Sequence, residues 1–174
     1  GKDVYCEKPV TLTIEEGQQI LRVQKKTGRV MQVGTQQRTE FAKRFVTAAA
    51  MIREQRIGDV AELNVCLGGS RNCGPLPRVD PPRTLNWELW QGQCRLKDYR
   101  AEPVVRDKSG WGAGFPFGRA HRYYRWFYEY SGGKLTDWGA HHVDIALWAI
   151  GDPGKGNLAI EGTGEVPEVV NGYN

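Results

Sequence analysis

Two short stretches concentrate the side chains able to move protons. In Asp137-Trp-Gly-Ala-His141-His142-Val-Asp144, Asp137, His141 and Asp144 stand at i, i+4 and i+7 and share one face if the segment is helical. An imidazole titrates near neutral pH. A carboxylate one turn before it can hold one ring nitrogen and leave the other to act as general base. The same trio, two carboxylates and one imidazole, also suits a divalent cation. That site needs further ligands, and none is flagged, so no metal is expected. The second stretch is Glu7-Lys8-Pro9, where a lysine before a proline closes a short apolar strand. A turn there aims the ammonium into the crevice at a sheet's carboxyl edge, and a cis Lys8-Pro9 bond would fix that aim. Such a lysine can hydrogen-bond a substrate hydroxyl and relay a proton. Against these readings stand a solvated Lys8 beside Glu7 and a His141 that is only packed.

The elements that must position these groups follow from local signals. Val4 to Cys6 reads as a strand, and Thr13-x-x-Glu16 as a capping box opening a helix to about Thr27, with Gly28 at its left-handed end. Ile14, Gly17, Ile20, Leu21 and Gln24 trace the inner side of that helix, and Arg22, Lys25, Lys26 and Arg29 form a solvated basic stripe. Val30 to Val33 is the next strand, which makes a β-α-β unit with a parallel pairing. A second helix is expected over Thr39–Ile57, stopped by Gly58, and a strand over Ile57–Leu67. Between Gly68 and Gly118 prolines and glycines dominate, and Asn86-Trp-Glu-Leu-Trp90 is the one suggestion of a helical turn. A loop region this long is more often functional than idle. From Arg119 to Tyr130 cations interleave with Tyr123, Tyr124, Trp126, Phe127, Tyr128 and Tyr130. This pattern fits a packed core first, a carbohydrate-facing wall second and stacked bases third. The His141 helix ends at Gly151-Asp-Pro153, and Asn157 to Val166 reads as a further strand.

The bulk numbers bound the answer. A chain of 174 residues, 40% of them hydrophobic, can bury a core of ordinary size. A net charge of +4 without a long basic block argues against a nucleic-acid partner. Cys6, Cys66, Cys73 and Cys94 form no C-x-x-C pair and no metal spacing with the histidines, and read as reduced thiols. No apolar run reaches the roughly 18 residues of a membrane span. No Gly-x-Ser-x-Gly elbow or P-loop is present.

Three pieces together resemble the glucose-fructose oxidoreductase / inositol dehydrogenase (Gfo/Idh/MocA) family: Cys6-Glu7-Lys8-Pro9 followed by a helix and Val33-Gly34-x-x-x-Arg38; the Phe41…Ile52…Ile57-Gly58-Asp59 passage; and Gly132-Gly-Lys-Leu-Thr-Asp137-x-Gly-x-His141-x-x-Asp144. The resemblance implies an α/β chain. Residues 1–38 would be the end of a Rossmann dinucleotide-binding domain, and 39–174 a partial α+β substrate domain with an open, mostly antiparallel sheet that also mediates homo-oligomerisation. It implies NAD or NADP as cofactor and a sugar or polyol as substrate, with Lys8, Asp137 and His141 catalytic and Glu7, Lys8, Pro9, Gln36 and Arg38 at the cofactor. Asp144 is expected to be structural, capping or pairing with an arginine. The family's Gly-x-Gly-x-x-Gly turn belongs upstream of Glu7, where six residues stand, and the glycines of 110–118 have the wrong spacing to replace it. The chain is therefore read as an internal piece of such an enzyme. The cytoplasm is its default location, with export by an upstream signal as the alternative. An NAD-dependent glycosidase or lyase working through transient sugar oxidation, and a non-catalytic sheet module, are the competing functions.

Overall fold

The computed structural model describes residues 1–69, 75–105, 109, 113–151 and 159–164. The chain forms two compact units, one built from residues 1–68 with 135–165 and the other from 69–134 with 166–174.

In the first unit, β1 (Val4–Glu7) and β2 (Met31–Gly34) pair in parallel, with Val4 beside Met31 and Glu7 beside Gly34. Between them runs α1 (Ile14–Thr27), held at its start by the capping box: the Glu16 N–H donates to Thr13 Oγ1 at 3.3 Å and the Thr13 N–H to Glu16 Oε2 at 3.0 Å. Its end is set by Gly28 at φ +65°, whose N–H reaches the Gln24 carbonyl. A β-branched residue there would meet the steric penalty of the left-handed region. Glu16, Gly17, Ile20 and Gln24 form the more covered side of α1, whereas Ile14 and Leu21, expected inside, are exposed.

The expected helix over 39–57 is shorter and broken. Two 3₁₀ turns, Gln36–Arg38 and Phe41–Lys43, precede α2 (Arg44–Arg53), and Phe41, Ala42 and Lys43 all have positive φ. The helix ends in a Schellman motif three residues before Gly58. The Arg56 N–H bonds the Met51 carbonyl at 2.9 Å and the Gln55 N–H the Ile52 carbonyl at 3.0 Å, with Gln55 itself left-handed at φ +54°. The strand expected over Ile57–Leu67 does not form: the segment is mostly exposed, and its alternating side chains have no partner strand among the described residues. Residues 159–164 likewise carry no strand, and the rest of that expected element lies outside the described residues. α4 (Gly133–Asp137) and α5 (Gly139–Ile150) follow, and α2 packs on α5; α2 buries Ala49, and α5 buries Gly139, His141 and Ala149. This packing groups α5 with the strand unit.

The second unit holds α3 (Trp87–Gln91), capped by Asn86 Oδ1 on the Leu89 N–H at 3.0 Å. Its sheet content among the described residues is two isolated antiparallel bridges, Arg78 to Arg100 and Ala101 to Gly118, so the open antiparallel sheet implied by the resemblance is not formed there. Tyr123, Trp126 and Phe127 are buried with Leu76 and Phe117, which makes much of the 119–130 aromatic segment core. The cation Arg119 is buried with it, paired to Glu129 at 2.8 Å. Gly118 is sterically required. A Cβ there would lie 2.6 Å from Ala101 Cβ and 2.7 Å from the Arg100 carbonyl oxygen, and the backbone cannot swing away as a side-chain tip can. Gly118→Ala is expected to lower stability by about 1–3 kcal/mol, the usual range for overpacking, read as a reduced urea midpoint at unchanged m.

Candidate active site

The carboxyl ends of the two paired strands deliver the cations, and one face of the C-terminal helices receives them. Lys8 follows β1 directly, and the Lys8-Pro9 peptide is cis. Its Nζ donates twice to one residue, to the Asp137 carbonyl oxygen and to Asp137 Oδ1, both at 2.8 Å. The side chains are only 11% and 12% exposed, so neither charge is well solvated alone. Losing one partner of such a pair costs about 3–5 kcal/mol, because the other charge stays buried.

Trp138 joins α4 to α5 with helical angles (φ −79°, ψ −30°), so the twist continues across the break between the two helices. Asp137, His141, Asp144 and Trp148 then fall at i, i+4, i+7 and i+11, as the helical reading of the sequence requires. His141 is 7% exposed, and its Nδ1 is buried with no hydrogen-bond partner among the described residues. Burial above all, and then the positive charge of Lys8, push its pKa below the usual histidine range, with the Asp137 carboxylate pulling the other way. The imidazole is therefore neutral around neutral pH, the form in which a histidine accepts a proton. Asp137 Oδ1 accepts from Lys8 while the same carboxylate acts on the ring through its charge, so the three stand in the order cation, carboxylate, imidazole.

Asp144 takes the structural role expected of it. Arg38 Nε and Nη2 reach its two oxygens at 2.7 and 2.6 Å, a bidentate fork that raises the guanidinium's proton affinity further. With side chains 40% and 23% exposed this pair stabilises by about 1 kcal/mol or less. Arg38 also lies 5.2 Å from the Trp148 ring centroid, and Arg53 lies 5.7 Å from it while donating to the Trp148 carbonyl. Arg53 and Trp148 escaped the sequence reading. The i+4 step from Asp144 to Trp148 was the only signal for one of them, and nothing local marks Arg53.

Of the remaining expected cofactor residues, Gln36 has a buried Oε1 without a partner among the described residues, Pro9 is half-buried after the cis bond, and Glu7 is exposed at the end of β1. A Cβ on Gly34 would come within 2.8 Å of the Tyr5 hydroxyl and 3.0 Å of Glu7 Oε2, so these side chains crowd the end of β2. Lys8, Gln36, Arg38, Asp137 and His141 all belong to the first unit. Both carboxylates of the metal reading are engaged by cations, Asp137 by Lys8 and Asp144 by Arg38. Cys6, Cys66 and Cys94 are outside any disulfide, the Cys94 thiol donating to the Glu129 carbonyl, and Cys73 lies outside the described residues.

Residues 1–35 match the model of the Gfo/Idh/MocA family, described as an oxidoreductase family with an NAD-binding Rossmann fold. The matched span contains β1, α1, β2 and Lys8, the piece whose strand order and parallel pairing the structure displays. No curated protein matches the chain.

Proposed function

We propose that this chain, which belongs through residues 1–35 to the Gfo/Idh/MocA family of oxidoreductases and their NAD(P)-binding Rossmann fold, carries the proton-handling side of a dehydrogenase acting on a hydroxyl of a sugar, inositol or similar polyol. The observation that carries the reading is the Lys8 ammonium held on Asp137 one helical turn before the buried, neutral His141. The residues present fit the nicotinamide end of the cofactor. Gln36 offers a buried, unpartnered acceptor of the kind that suits a carboxamide N–H, and Glu7, Lys8 and Pro9 stand at the carboxyl edge of the strands, where dinucleotides lie in this fold.

Bound there, the nicotinamide supplies the hydride acceptor. His141 takes the hydroxyl proton as the C–H bond gives up its hydride, so the alcohol becomes a carbonyl and the imidazole becomes its conjugate acid. Lys8 orients the same oxygen by donating to it, and its fixed charge keeps the resting imidazole neutral and ready to accept. Asp137 keeps the ammonium in place. In the return direction the same imidazolium hands its proton to the carbonyl oxygen.

The test is an assay over a panel of sugars and inositols with NAD and NADP, using the protein that contains this chain. Reduced cofactor accumulating one for one with oxidised substrate supports the reading. Release of an aglycone with cofactor needed only in catalytic amount would replace it with transient-oxidation chemistry.

A further inference from the structure

We propose that Arg38 is a positioning residue: its fork on Asp144, backed by Trp148, sets where His141 stands relative to Lys8. This rests on the reading of His141 as general base. His141 is bracketed on its own helical face, with Asp137 four residues before it tied to Lys8 and Asp144 three residues after it tied to Arg38. The two cations leave neighbouring parallel strands, Lys8 one residue past the end of β1 and Arg38 four residues past the end of β2. The strand pairing fixes the spacing of these two anchor points, and the helix face is pinned to both.

The Lys8 pair holds Asp137 at the end of α4, and packing on α2 alone would leave α5 room to shift along its axis. The second, bidentate pair removes that freedom, because a planar fork accepts a carboxylate in one orientation. Trp148, one turn beyond Asp144, lies beside the Arg38 guanidinium and, through its carbonyl and ring, engages Arg53 of α2. The arginine that the sequence places at the cofactor therefore acts through the base, and both its forked nitrogens already have a carboxylate oxygen.

The experiment uses the intact enzyme containing this chain. R38Q and D144N should each lower kcat by about 10- to 100-fold, the scale of an ångström-sized misplacement, with KM for the dinucleotide within about twofold of the parent. In an H141A background R38Q should cost less than about twofold more, because a residue acting through the base has nothing left to position. Arg38→Lys, which keeps the charge and loses the fork, should fall between, and the reciprocal exchange Arg38→Asp with Asp144→Arg should recover about tenfold over either single change. The proposal is overturned if R38Q leaves kcat intact, if it raises the dinucleotide KM about tenfold at constant kcat, or if its cost is the same with and without His141. Full turnover in H141A alone would remove the underlying reading as well, whereas loss in H141A with normal turnover in R38Q and D144N would remove this inference only.

Discussion

Replacing His141 by alanine lowers turnover by about 10²–10⁴-fold while dinucleotide affinity stays within about twofold, the size and selectivity expected on removing a general base. The expectation follows from where the ring sits. Its Nδ1 is buried without a partner among the described residues, its burial and the adjacent Lys8 keep it unprotonated, and its helix face is the one to which both strand-end cations are tied. A histidine kept only for packing would be expected to place an apolar edge, or a satisfied nitrogen, in that position. The alanine substitution also leaves a space, so His141→Gln belongs beside it: it fills the site and keeps hydrogen-bonding capacity but accepts no proton near neutral pH. Steady-state rates with whichever substrate the panel identifies and titration of NAD binding to each variant decide the matter. Turnover close to the parent in both variants would make His141 structural.

The parts of this chain legible in its sequence are those whose cause is local. Thr13 and Glu16 satisfy each other's backbone donors within one turn, and Gly28 closes the same helix, so α1 is found where the residues say it should be. The common face of Asp137, His141 and Asp144 needs only helical twist, and Trp138 supplies it. Illegible were the features that depend on partners distant in the chain. Gly58 marks a permissive position, yet α2 stops at Arg53, and the Schellman hydrogen bonds close the turn with a non-glycine residue, Gln55, in the left-handed region. The alternation of Ala61, Leu63, Val65 and Leu67 is a strand pattern that requires a neighbouring strand, and none is present among the described residues. Arg38 reads as a cofactor residue from its motif, and only the fold shows its fork on a carboxylate 106 positions away. Asp137 and Lys8 were each singled out for chemistry, but that they bond to one another, across 129 positions, is a property of the strand-end geometry and not of either motif.

The second large effect is expected at Lys8. Lys8→Met keeps the length of the stem and removes the ammonium, which leaves the Asp137 carboxylate, 12% exposed, without the cation it faces. Stability should fall by about 3–5 kcal/mol, as when one member of a buried pair is deleted, and turnover by about 10²-fold or more, since the hydroxyl loses its donor and the base its neighbour. Lys8→Arg separates these effects. It keeps the charge on Asp137 and restores much of the stability, but its planar fork cannot place a donor on the substrate oxygen where the compact ammonium did, so its turnover stays low. The pH profile then tests the electrostatics by sign. Burial is the largest cause holding the His141 pKa down, the charge of Lys8 is the next, and Asp137 opposes them. Without Lys8 one lowering influence disappears while the carboxylate beside the ring remains, so the imidazole binds its proton more tightly and more of it is charged at any given pH. The acid limb of kcat/KM in Lys8→Met must therefore move to higher pH than in the parent. A limb that stays in place would mean that burial alone sets the base. A limb that moves to lower pH would mean that the group titrating in the profile is not His141.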